Sequence, residues 1–178
     1  MNRSVIATLC ALGLAPTVPA AFAQQAGPGA KASFVDQTGK SLGSAQITQT
    51  EKGVLIDVDL KDLTPGLHGF HIHQTGKCDG AAKFTTAGGH FGVAGQEHGY
   101  HSSKGPHAGD LPNLTVPASG ALKEQLFTPG VTLGSGDTSL FDADGSALVI
   151  HAKADDYRSQ PAGDSGDRIG CAVIEKSP

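Results

Sequence analysis

Apolar and polar residues alternate with a period of two along several short stretches of this chain, the spacing of a strand with one buried face. The clearest case is 54–60, where Val54, Ile56, Val58 and Leu60 share one parity while Asp57 and Asp59 occupy the other. The same pattern predicts strands at 32–36 and 45–50. Thr64-Pro65-Gly66 is a turn signal, and an extended pattern resumes at 69–73. Periodicity then fades from 74 to 111, a glycine-rich stretch holding His90, His98, His101 and His107. Loops longer than about 15 residues are uncommon in compact domains unless functional or disordered, so this one is a candidate for function. Beyond it, 113–117, 122–127, 139–142, 147–151 and 170–175 are predicted strands, separated by Gly, Pro and Asp turns. About eight short antiparallel strands, without a helical segment or an internal repeat, predict an all-β sandwich or flattened barrel.

Composition fits that reading. The 178 residues suffice for one domain, and 25 glycines and 10 prolines with only 5% aromatics favour many turns over long helices. A formal net charge of -4, with no basic run, argues against nucleic acid, whose phosphates require a basic face. The N-terminus has the layout of a secretory signal: Arg3, an apolar stretch over 5–14, Pro16 and Pro19, then Ala21-Phe22-Ala23. Residues 1–23 are therefore expected to be a cleaved signal peptide carrying Cys10 away, 24–30 a flexible leader, and 31–178 the folded domain. The apolar stretch is too short for a permanent membrane span, so no membrane association is expected after cleavage. Export leaves Cys78 and Cys171, an even pair expected to form one disulfide.

Side chains two apart on a strand share a face, so His71 and His73 point together while Phe70 and Ile72 face the core. His68 has the parity of Phe70 and reads as a buried, satisfied histidine. With His90, His98, His107, Asp110 and His151 further along, the chain holds a set of imidazoles and a carboxylate suited to copper and zinc. Three histidines with a carboxylate make a closed zinc site, and histidines near one plane make a copper site with room for a small ligand.

Five separated blocks carry a resemblance: Gly66-Leu67-His68-Gly69-Phe70-His71-Ile72-His73, Gly88-Gly89-His90-Phe91, His98-Gly99 with Gly105-Pro106-His107-Ala108-Gly109-Asp110-Leu111, Val149-Ile150-His151-Ala152-Lys153-Ala154-Asp155-Asp156, and Asp167-Arg168-Ile169-Gly170-Cys171. Together they resemble the copper/zinc superoxide dismutases across essentially the whole domain, and the departures from the animal cytosolic pattern resemble bacterial exported members, which implies a periplasmic enzyme. The resemblance implies an eight-stranded Greek-key barrel with long metal-binding and electrostatic loops. It makes His71, His73 and His151 copper ligands, His98, His107 and Asp110 zinc ligands, and His90 the bridge between the metals. His101 competes with His98, but the family's spacing selects His98. Asp155 resembles the carboxylate that links a copper histidine to a zinc histidine, here His71 and His98, and Arg168 the cation that docks superoxide. Cys78 and Cys171 match the family's disulfide. The implied reaction is dismutation of superoxide to oxygen and hydrogen peroxide through alternating Cu(II) and Cu(I), by an enzyme expected to be a homodimer, with a monomer as the alternative. Lys77, Lys83, Lys104 and Lys153 are candidates for steering the anion. A metal carrier or buffer of the same fold would need the histidines but neither Arg168 nor Asp155. Asn113-Leu114-Thr115 fits a glycosylation sequon, expected to stay unmodified in a bacterial periplasm.

Overall fold

A computed structural model describes residues 29–177; the expected signal peptide, the first part of the leader and Pro178 lie outside the described residues. Nine strands form among the described residues: β1 (Gly29–Val35), β2 (Ser41–Thr50), β3 (Gly53–Leu60), β4 (Gly66–His68), β5 (Phe70–His73), β6 (Leu114–Val116), β7 (Leu122–Thr128), β8 (Ala147–His151) and β9 (Arg168–Lys176). The only helical element among the described residues is a 3-10 turn at Thr85–Ala87.

Seven strands make one antiparallel sheet in the order β5-β8-β9-β1-β2-β3-β7, and β4 pairs with β6 in a small second sheet. The order records a β1-β2-β3 meander flanked by β7 on one side and the β8-β9 hairpin on the other, a Greek-key crossing. The large sheet curls. Its two edges are each continuous in chain with the small sheet, β4 running into β5 through Gly69 and β6 turning into β7.

Alternation explains the local choices. In β3, Val54, Ile56, Val58 and Leu60 are buried while Asp57 and Asp59 are exposed, and Ala30, Ala32 and Phe34 do the same in β1. Their inward faces join Ile47, Phe70, Ile72, Leu114, Leu148 and Ile150 in one core. At roughly 1.5–3 kcal/mol for each large apolar side chain fully buried, that shared interior is the main reason the strands hold one register.

Two boundaries differ from expectation. β1 begins at Gly29, inside the expected leader, because Gly29 and Ala30 pair with Thr48 and Ile47 of β2 and Ala30 is buried. The stretch 139–142 is not a strand: Ser139 makes only an isolated bridge to Thr132. Its hydroxyl donates to Gly134 O (2.6 Å) and accepts from Phe141 N–H (3.2 Å), offering the backbone a turn instead of a ladder. The turn at Thr64-Pro65-Gly66 leads into β4, which was not separately predicted; three residues are too few for a period-two signal.

Candidate metal centre

Backbone pairing brings the histidines together. Phe70 and Ile72 of β5 enter the core, leaving His71 and His73 on the opposite face, both fully buried. The long loop then zips back onto β5. Ile72 N–H donates to Gly109 O (2.8 Å), Phe91 N–H to Ile72 O (2.8 Å) and Gln74 N–H to Gly89 O (3.0 Å). These bonds set Asp110 opposite His71 and His90 opposite His73. Gly109 is required for this approach, since a Cβ there would run into Ile72 O. At the end of β8, His151 N–H donates to Gly69 O (2.8 Å). His68 is buried with Nδ1 2.7 Å from His151 O and Nε2 2.8 Å from Thr64 O, so neither ring nitrogen is free to bind a metal.

Two groups of ligand-capable atoms result, His71, His73, His90 and His151 in one and His71, His90, His98 and Asp110 in the other, the atoms of each lying within 4.8 Å of one another. His107 borders the second group, its Nδ1 3.4 Å from Asp110 Oδ1. His90 belongs to both: its Nδ1 is 2.8 Å from Asp110 Oδ1, and its buried Nε2 has no hydrogen-bond partner. Although His71 falls in both groups geometrically, its Nε2 donates to Asp155 Oδ2 (2.7 Å), which leaves only Nδ1. Asp155 also accepts from His98 Nε2 at Oδ1 (2.9 Å) and so joins the two groups.

The unpartnered buried atoms test whether metals suit these residues. His71 Nδ1, His73 Nε2, His90 Nε2, His107 Nδ1 and His151 Nε2 are all buried without a hydrogen bond. An orphaned buried polar atom costs about 1–3 kcal/mol, so five around one centre call for a ligand. Several of the other ring nitrogens are held: His73 Nδ1–H points to Gly88 O (3.0 Å) and His151 Nδ1–H to Gly166 O (3.1 Å), which fixes the tautomers with Nε2 bare. Burial drives the proton affinities of His71 and His73 down, pulls His90 to about 4 and His151 to about 3, and keeps these rings neutral, the form that ligates. His98 differs: burial opposes its charge, but hydrogen bonds with Asp110 and Asp155 prevail and raise it to about 9. Both carboxyls, despite burial, are held below the usual carboxylate range by their histidine partners. The residues fit two cations, one in an all-imidazole set and one in a set with a carboxylate.

A cleft of about 380 Å³ opens beside the centre, lined by His90, His107, His151, Pro161, Ala162 and Arg168 among others. The Arg168 guanidinium donates to Phe84 O and Gly88 O, each at 2.7 Å, which aims a fixed charge at the cleft. Cys78 and Cys171 form a disulfide, Cα–Cα 5.7 Å, tying the loop that supplies those carbonyls to β9, which carries Arg168.

Some residues escaped the sequence reading. The Asn113 side chain accepts from Asp155 N–H (2.8 Å) and donates to Asp155 O (2.9 Å), so the amide of the apparent sequon is already engaged. Gln160 makes the same pair of bonds with the backbone of His98. Neither has a local signal, since each bridges distant segments. His101 lies in neither ligand group and is exposed. Of the lysines considered for steering, Lys104 is paired with Glu97 (3.0 Å), whereas Lys77, Lys83 and Lys153 are exposed.

The curled Greek-key sheet thus carries two adjoining groups of ligand-capable atoms with His71 and His90 in common, the arrangement of a protein built to hold a pair of cations. The family model for copper/zinc superoxide dismutase matches residues 41–174, and the chain belongs to that family. It is 44% identical over 146 residues to superoxide dismutase [Cu-Zn] 1 of Aquifex aeolicus, covering 81% of this chain and 86% of that protein. Among solved structures, a SOD-like protein from Bacillus subtilis superposes with a TM-score of 0.77 at 37% identity, covering 80% of this chain and 96% of the other. The Cu/Zn superoxide dismutase from Brucella abortus gives 0.68 at 29% identity, covering 83% and 99%.

Proposed function

We propose that His71, His73, His90 and His151 hold copper and that His90, His98, His107 and Asp110 hold zinc, with Arg168 docking the substrate anion and Asp155 positioning His71 and His98. The chain is a superoxide dismutase that uses copper and zinc: two superoxide anions and two protons become oxygen and hydrogen peroxide. The observation that carries the ligand assignment is His90, one nitrogen beside Asp110 and the other bare toward His71, His73 and His151. His71 is assigned to copper alone because Asp155 occupies its second nitrogen, and His107 enters the zinc set through its unpartnered Nδ1.

The chemistry that copper supplies when bound is the exchange of one electron with each of two superoxide anions; zinc contributes charge without redox change. The chain's residues do the rest. Arg168, always charged and fixed by two carbonyls, offers its remaining N–H groups to an anion in the cleft. His90 Nε2 is the atom placed to hold a proton for the second half of the cycle, while its Nδ1 side keeps the ring oriented. Asp155 fixes the tautomers of His71 and His98 by accepting from both Nε2–H groups.

Residues 1–23 are proposed to direct export to the periplasm, where the disulfide of the domain 31–178 would persist. A homodimer is proposed, supported by the exposed Val93, Tyr100 and Phe127 around a cleft of about 360 Å³ that a second copy would cover. The decisive experiment is superoxide dismutation by purified protein lacking 1–23, with copper and zinc measured on the same sample and cyanide as a copper-site probe. Fast, cyanide-sensitive turnover at about one copper and one zinc per chain is expected. No turnover at full copper loading would replace this reading with that of a metal carrier.

A further inference from the structure

The segment after Asp156 has no regular secondary structure, yet it meets the zinc side of the centre at one well-defined point. Gln160 Oε1 accepts from His98 N–H (2.9 Å) and Gln160 Nε2 donates to His98 O (2.8 Å), with a longer donation to Arg158 O (3.2 Å). A primary amide has the donor and acceptor of a peptide unit, so this pair reproduces the double bond of a hydrogen-bonded position in an antiparallel ladder, here between residues 62 apart. Both backbone groups of one residue are thus held by a single side chain, and that residue is the buried His98, whose ring is held separately by Asp155 and Asp110. The next two residues, Pro161 and Ala162, line the cleft that contains His151 and Arg168.

We propose that Gln160 is a positioning residue: its amide locks the main chain of His98 and thereby joins the zinc half of the centre to the wall of the substrate cleft. The zinc readout rests on the ligand assignment proposed above; the backbone readout does not. Asp155 controls where the His98 ring points, whereas Gln160 controls where its Cα sits. A carboxylate at 160 could still accept from His98 N–H but could not donate to His98 O, so Gln160→Glu separates the two bonds, and Gln160→Ala removes both.

The first test is amide hydrogen exchange in the metal-free protein. In Gln160→Ala the His98 N–H should lose about tenfold of its protection, matching the loss of one net hydrogen bond, while the Ile72 N–H, bonded to Gly109 O, keeps its own. The second is release of zinc and of copper from the loaded protein to a chelator. Gln160→Ala and Gln160→Glu should each release zinc about tenfold faster with copper release changed less than twofold. Unchanged His98 protection would overturn the proposal, as would zinc and copper release accelerating together in step with a general loss of stability. A wild-type protein that takes up no zinc would instead break the ligand assignment and leave the exchange result to decide the role of Gln160.

Discussion

Gly163 is buried against Asp155, the carboxylate that joins the two groups of ligand-capable side chains, with φ at +67°. A Cβ at this position would overlap Asp155 Oδ1 and sit 2.7 Å from His98 Nε2, the two atoms of one hydrogen bond. Gly163→Ala therefore imposes two penalties. The left-handed backbone costs a non-glycine residue about 1–2 kcal/mol. Displacing Asp155, which is itself pinned by His71 Nε2–H (2.7 Å) and Tyr157 N–H (2.6 Å), forfeits a buried charge-assisted bond of about 1.5–3 kcal/mol. The sum is about 2.5–5 kcal/mol. Gly39 isolates the first penalty, since it has φ at +87° and nothing within 4 Å of the added methyl. Denaturant unfolding of the two metal-free variants should place Gly163→Ala about 1.5–3 kcal/mol below Gly39→Ala, and competition with a chelator should show zinc affinity reduced about 10–100-fold in the first and unchanged in the second. Equal destabilisation with equal zinc affinity would refute the claim that the Asp155–His98 contact organises the centre.

Three further outcomes are expected. Replacing Cys78 and Cys171 by serine opens a loop spanning 93 residues and should cost about 4 kcal/mol in unfolding experiments, with turnover also falling because the carbonyls that aim Arg168 belong to the released loop. Arg168→Lys should lower the second-order rate with superoxide about tenfold or more, as a single ammonium nitrogen lacks the planar fork whose two separate nitrogens hold Phe84 O and Gly88 O and aim the charge; an unchanged rate would remove Arg168 from the docking role. The metal-free protein should be most stable near pH 6.5. Below that value an unfolded chain protonates imidazoles that the fold keeps neutral, His90 down to about 4 and His151 to about 3, so stability falls on acidification by about 3 kcal/mol for His90 alone. Above it the contribution of charged His98 fades as pH rises through about 9. Unfolding midpoints measured from pH 4 to 9 that stay flat would contradict the assigned protonation states.

Period-two alternation located β3 within a residue, and turn residues around a short apolar run located β8, which is buried along its whole length, while Ser139 misled the reading through a hydroxyl that diverts the backbone into a turn. The metal-centre histidines could be nominated from spacing and resemblance, since His71 and His73 share a strand face and His151 ends the strand paired beside it. What spacing could not reveal was how the loop residues are held. The carbonyls of Phe84 and Gly88 aim Arg168, and the amides of Asn113 and Gln160 grip Asp155 and His98, yet none of these has a neighbour in sequence that marks it. Long-range side-chain to backbone bonds depend on where the folded loops come to rest, and no local pattern encodes that.

The Cys78–Cys171 bond has one more consequence. The chain has three cysteines, one methionine and no tryptophan, and Met1 and Cys10 fall outside the described residues, so within residues 29–177 every sulfur atom is already oxidised to the disulfide. Hydrogen peroxide formed by the enzyme thus meets no thiol or thioether among the described residues, and the usual first rungs of oxidative damage are absent there. Wear by product is left to the aromatic rings, and on the proposed ligand assignment the imidazoles nearest the source of peroxide are also the groups that generate it.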